Sequence, residues 1–126
     1  MSTWLVDTHA LLWFLGGDDQ LSDWARETIE DGENIIVVST ASVWEMAIKA
    51  SLGRLEVPAN LLEILDHQGF VTLSIEPRHA WAVADLPLGE HKDPFDRQLA
   101  AQALLEDLPI ISADEQLDHY GVTRAW

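Results

Sequence analysis

The run Ile35-Ile36-Val37-Val38, which ends in Ser39, decides the fold class. It is a continuous β-branched stretch without polar alternation, and a strand reads that way when both of its faces are buried in a parallel sheet. Outward from it, short apolar runs recur at Thr3-Trp4-Leu5-Val6, Phe70 to Leu73 and Pro109-Ile110-Ile111-Ser112, with a last one around Val122-Thr123-Arg124. Helical stretches separate them. His9 to Leu15 follows the first strand, capped by Thr8 and ended by Gly16-Gly17, and Ser22 to Asp31 is amphipathic, with Trp24, Ala25 and Ile29 inward and Gly32 as its stop. Thr40 or Ala41 to Leu52 closes at Gly53, Ala59 to Gln68 lies between Pro58 and Gly69, and Pro77 opens a helix through Ala84. A final long helix runs to about Asp107, with Phe95, Leu99, Ala103 and Leu104 or Leu105 on its apolar side. Parallel neighbours need crossover connections, which are normally helical. The pattern therefore predicts a three-layer α/β/α domain over residues 1–126, with a central, mainly parallel sheet of about five strands.

Composition narrows the chemistry. The chain has 126 residues, enough for one domain that needs no staple, and no cysteine. Disulfides and thiolate metal sites are excluded, which leaves carboxylate, imidazole and hydroxyl as ligands. The longest apolar run, Ala10 to Leu15, is too short to cross a bilayer, and the N-terminus lacks the basic region of a signal peptide. A cytoplasmic protein with no membrane partner is expected. The net charge of -15, from 7 Lys and Arg against 22 Asp and Glu, rules out a broad basic surface for nucleic acid. Three explanations stand: a partner that is not a nucleic acid, a site whose divalent ion reverses the local potential, or a surface adapted to high salt.

Ligands of parallel sheets bind outside the carboxyl ends of the strands. Asp7 lies just past the first strand and Asp114 just past the fourth, so both reach that edge. Glu45 stands about one turn into the helix after Ile35 to Val38. In His91-Lys92-Asp93-Pro94-Phe95-Asp96-Arg97, Asp93 suits the N-cap, Pro94 the first helical position and Asp96 the third. Each acid has a structural explanation of its own. Asp7 and Asp114 could simply end strands, Asp93 and Asp96 could complement the helix dipole, and Ser42-Val43-Trp44-Glu45 has the form of a capping box, with Glu45 to Lys49 a favourable i,i+4 pair. Arg97 fits none of these, being a cation where the dipole disfavours it. Several carboxylates at one edge repel unless protons or a cation intervene, and hard oxygen donors favour Mg²⁺ or Mn²⁺ over zinc. His9, His67, His79, His91 and His119 are scattered and are expected at helix ends or on the surface. An acid-only set points to phosphoryl chemistry.

The chain resembles the PIN domains, and among them the VapC-type ribonuclease toxins of toxin–antitoxin pairs. The matching pieces run from Val6-Asp7-Thr8-His9-Ala10-Leu11-Leu12-Trp13 through Ser39, Ser42, Trp44-Glu45, Lys49 and Gly53. They continue with His91 to Arg97, Leu99-Ala100-Ala101-Gln102-Ala103, Ser112-Ala113-Asp114 and Tyr120, spanning nearly the whole chain in order. The resemblance implies an acidic quartet of Asp7, Glu45, Asp96 and Asp114, in which Asp7, Asp96 and Asp114 hold Mg²⁺ or Mn²⁺ and Glu45 positions or deprotonates the attacking water. Asp93 is then the cap, and Ser39 and Ser112 orient carboxylates or water. Ser112 stands where threonine is common in the family, and Leu117 where an aromatic is common. The resemblance further implies an RNA substrate, a homodimer, and a cognate antitoxin protein whose C-terminal segment crosses the toxin and places a basic side chain in the site.

Other classes compete. A receiver-type phosphoacceptor domain would need a lysine after the last core strand, where Asp114 stands, and a haloacid-dehalogenase-like phosphatase a second aspartate where His9 stands. The stronger alternative is a PIN-fold binding module with weak or no nuclease activity.

Overall fold

The computed structural model describes residues 1–89 and 92–126. Glu90 and His91 lie outside them, so the expectation for His91 and the start of the His91–Arg97 stretch fall outside the described residues. Five strands, β1 (Thr3–Val6), β2 (Ile35–Ser39), β3 (Val71–Leu73), β4 (Ile110–Ile111) and β5 (Arg124–Ala125), form one sheet in the order β3-β2-β1-β4-β5. Every pairing is parallel. The helices are α1 (Thr8–Gly16), α2 (Asp23–Glu30), α3 (Thr40–Ser51), α4 (Leu61–His67), α5 (Pro77–Ala82) and α6 (Pro94–Glu106), with 3₁₀ turns at Val83–Asp85 and Glu115–Tyr120. The three-layer reading holds.

Strand alternation divides the core. Val6, Ile36, Val38 and Ile111 face one layer, where they pack with Ala10, Leu11, Ala25, Ile29, Met46 and Leu65 of α1 to α4. Leu5, Val37 and Ile110 face the other, against Leu99, Ala100 and Ala103 of α6, with Leu117 and Tyr120. Both faces of β1 and β2 are therefore dry, the physical origin of their unbroken apolar composition. Leu117, where the family often has an aromatic, is fully buried, and Tyr120 is buried beside it.

Several local expectations are corrected. Asp7, not Thr8, caps α1: its side chain accepts from the Ala10 N–H at 2.8 Å, while Thr8 is the first helical residue. Gly17 ends that helix in the left-handed region (φ 63), a conformation that suits glycine. Trp24 is exposed rather than inward, although its ring packs edge-on against Trp4 at 5.2 Å. Leu104 and Leu105 are exposed, because the buried stripe of α6 runs through Leu99, Ala100 and Ala103. The helix expected from Ala59 begins at Leu61, and the last strand lies at Arg124–Ala125 instead of starting at Val122. His79 sits at a helix end, as expected of the histidines, and is wholly buried there.

Candidate active site

The register of β1 with its neighbours builds the floor. Val6 pairs with Val38 on one side and with Ile111 on the other, so Asp7, Ser39 and Ser112 emerge at the same level of the carboxyl edge. Asp7 is 6% exposed. Its backbone N–H donates to Ile111 O at 3.1 Å, and burial pushes its carboxyl up from an ordinary value near 3.8. Hydrogen bonds from the Ser112 hydroxyl and the Ala10 N–H oppose that shift, and the charge of Asp114 adds to it. Asp114 thus lies close enough to act on Asp7 electrostatically. Its own side chain accepts from the Gln116 N–H at 3.0 Å as the cap of the following 3₁₀ turn, and the Ser112 hydroxyl receives the Asp114 N–H.

Glu45 comes from the other neighbour of β1. The cap of α3 is Ser39, whose Oγ accepts from the Ala41 N–H at 3.0 Å, so the capping box expected at Ser42 and Glu45 does not form. Ser42 instead accepts a hydrogen bond from the Thr8 hydroxyl at 2.9 Å, tying α3 to the residue after Asp7. The expected Glu45–Lys49 pair does form, with Lys49 Nζ 2.7 Å from Oε2. Glu45 is only 2% exposed, and its other oxygen, Oε1, is buried without a hydrogen-bond partner among the described residues. Such an oxygen is costly unless something outside the chain satisfies it.

Asp96 enters from α6. As expected, Asp93 is the cap, accepting from the N–H groups of Phe95 (2.9 Å) and Asp96 (3.0 Å), with Pro94 at the first helical position. Asp96 is half-buried, and the preceding Phe95 packs edge-on against Trp44, the residue before Glu45, at 5.0 Å. Arg97 also finds its reason. It donates to Pro87 O (3.0 Å) and Val83 O (3.2 Å) and stands over the Tyr120 ring, bracing the loop that leads into α6.

Asp7 and Asp114 follow β1 and β4, Glu45 lies in α3 and Asp96 in the first turn of α6, and no three of these acids bring donor atoms within 4.8 Å. Among the described residues that closeness occurs only at Glu76, His79 and Glu106. There the Glu76 N–H donates to His79 Nδ1 at 2.9 Å, which assigns the ring hydrogen to Nε2, 2.8 Å from Glu106 Oε1. Arg78 also pairs with Glu106. Every ring position is engaged by the protein itself.

Sequence reasoning quoted Gln102 among the matching residues but gave it no role. Fully buried, it accepts from the Ser39 hydroxyl and donates to Ser74 O at 3.3 Å, locking the cap of α3 to α6. The available signal was its position: three residues after Leu99, an amide falls on the apolar side of α6.

The donor set suits a hard divalent cation: carboxylates alone, one of them disfavoured as an anion by burial and another carrying an orphaned oxygen. Known proteins resemble the chain over most of its length. A family model described as PIN domain matches residues 4–122. Ribonuclease VapC22 of Mycobacterium tuberculosis is 28% identical over 119 residues, covering 93% of this chain and 91% of that protein. Two solved structures share the fold. VapBC2 of Rickettsia felis, bound to a DNA fragment from its promoter, superposes with a TM-score of 0.67 at 12% identity, over 100% of this chain and 99% of that one. FitAcB of Neisseria gonorrhoeae does so at 0.63 and 17%, over 98% and 96%.

Proposed function

Since the chain belongs to the PIN-domain family, we propose that it is a metal-dependent endoribonuclease, the toxin of a toxin–antitoxin pair, hydrolysing RNA phosphodiester bonds at the carboxyl edge of its sheet. The observation that carries this is Glu45: a carboxylate at 2% exposure with Oε1 unpartnered, on the edge where Asp7 is also buried. Asp7, Asp96 and Asp114 would hold Mg²⁺ or Mn²⁺. When bound, the ion supplies charge stabilisation at the scissile phosphate and eases ionisation of water. Glu45 orients the attacking water through Oε1 and takes its proton. In-line attack then leaves a 5′-phosphate and a 3′-hydroxyl. Ser112 orients Asp7, and Ser39, held by Gln102, sets the start of the helix that carries Glu45.

The partner follows from charge and shape. An acidic site on a chain of net -15 attracts a basic peptide more readily than free RNA, and arginine can bridge two carboxylates. Leu12 and Leu15 of α1 line an open cavity of about 590 Å³ with Leu55 and Val57. Elsewhere on the first two helices Trp13 is half-buried and Trp24 exposed. An antitoxin segment with apolar anchors and a basic end fits this surface, and the chain pairs as a homodimer. Among the described residues no helix is long and apolar enough to cross a membrane.

The test is cleavage of a defined RNA by the purified chain with Mn²⁺, by the Glu45→Gln variant, and by the chain with a cognate antitoxin protein added. Metal-dependent products with 5′-phosphate ends, lost in the variant and suppressed by the partner, are expected. Intact RNA under all conditions would return the chain to the binding-module reading.

A further inference from the structure

We infer that Lys49 is the resident counter-ion of Glu45 in the acidic site: it holds Oε2 and competes with the divalent ion for that carboxylate, leaving the buried Oε1 as the oxygen without a partner among the described residues. The inference rests on the proposed reading of this edge as a metal site. A lysine four residues after a glutamate is ordinarily a solvated helix pair of little consequence. This one differs in its acid. Glu45 is buried, so its charge has lost water, and among the described residues the cation paired with it is Lys49, 2.7 Å from Oε2 and itself about a third exposed at 36%. The two oxygens therefore have unlike surroundings, one neutralised and one orphaned.

An asymmetric carboxylate of this kind serves two ends. In the metal-free protein the ammonium offsets the charge of the buried Glu45 carboxylate. With a divalent ion bound, the same tether would keep Oε2 on Lys49 and leave Oε1 as the oxygen that could take the proton of water. The lysine side chain is about a third exposed and belongs to neither hydrophobic core cluster, so its removal opens no core cavity.

Such a role predicts opposite signs for binding and turnover, which a structural helix pair does not. In Mn²⁺ titrations by calorimetry on the full chain, Lys49→Met and Lys49→Gln are expected to bind the ion about tenfold more tightly, because a positive charge beside the site is gone. RNA cleavage at saturating Mn²⁺ should fall at least about tenfold in both. Lys49→Arg, which keeps the charge, should bind Mn²⁺ as the natural chain does. The glutamine variant retains a donor for Oε2, so it provides the measurement if the methionine variant does not fold. Neutral variants that bind Mn²⁺ no more tightly than a natural chain that itself binds Mn²⁺ and cuts RNA overturn the role of Lys49 alone. A natural chain that binds no Mn²⁺ overturns both this inference and the nuclease reading.

Discussion

Two groups of acids in this protein look alike in composition and differ in what surrounds them. Glu76, His79 and Glu106 form the tighter group, with donor atoms within 4.8 Å. Asp7 and Glu45, at the sheet edge, belong to a looser one. In the first, the His79 ring donates to Glu106, Arg78 pairs with it too, and these partners hold the Glu106 carboxyl below its ordinary value. In the second, burial pushes Asp7 up, and Glu45 keeps an oxygen without a partner. Proximity alone therefore marks a satisfied brace, whereas incomplete satisfaction under burial marks a place prepared for something else.

The contrast breaks most sharply on activity. Asp96→Asn and Asp7→Asn should each lower RNA turnover by at least about a hundredfold, since even partners that only orient metal ligands cost ten- to a hundredfold. Glu106→Gln should leave it within about twofold. A steady-state assay with Mn²⁺ decides, and a dead Glu106→Gln enzyme would move the site to the other cluster.

Metal linkage comes next in size. Mn²⁺ at about a hundred times its Kd should add roughly 2.7 kcal/mol of stability to the natural chain and to Glu106→Gln, and much less to Asp7→Asn. Thermal melts at matched ionic strength, with Mn²⁺ and with chelator, give the comparison.

Gln102 joins the two regions, since it contacts Ser39 on one side and the His79 layer on the other. Gln102→Leu orphans the Ser39 hydroxyl and should cost about 1–3 kcal/mol in urea unfolding. Equal stability would mean that water replaces the amide.

The pH dependences should have opposite signs. Asp7 has a raised carboxyl, so the folded state holds its proton longer, and the metal-free chain loses stability as pH rises from about 3.8 through the raised value. Glu106 has a lowered one, so its contribution is present above about 4.5 and is lost as pH falls through the folded value. Asp7→Asn should flatten the first limb and Glu106→Gln the second in melts without metal. The smallest effect belongs to Asp93→Asn. Asparagine caps as well as aspartate, so turnover and melting should stay near those of the natural chain, whereas Asp93→Ala should cost about 1 kcal/mol.

Much of the molecule was legible because it is written in local pattern. Ile35 to Val38 announced a strand dry on both sides, and the other apolar runs gave the remaining strands to within a residue or two. Asp93 and Pro94 announced a helix start through residue chemistry alone. Errors came where a residue had two local options and a distant partner chose. Ser42 reads as a cap but turns to Thr8, from another helix, and Ser39 takes the cap. Trp24 reads as core and lies at the surface against Trp4. The burial of His79 and the function of Gln102 depend on how α5 lies on α6, which no window of sequence contains.

By itself, then, the sequence determined a parallel α/β/α domain with acids at the carboxyl ends of its strands, because periodicity and strand-end position are properties of neighbours along the chain. The tertiary structure alone decided the order β3-β2-β1-β4-β5, the level shared by Asp7, Ser39 and Ser112, and which Glu45 oxygen is held by Lys49 and which is buried without a partner among the described residues. Those follow from which surfaces meet and how much water they exclude, and desolvation exists only once distant segments have packed.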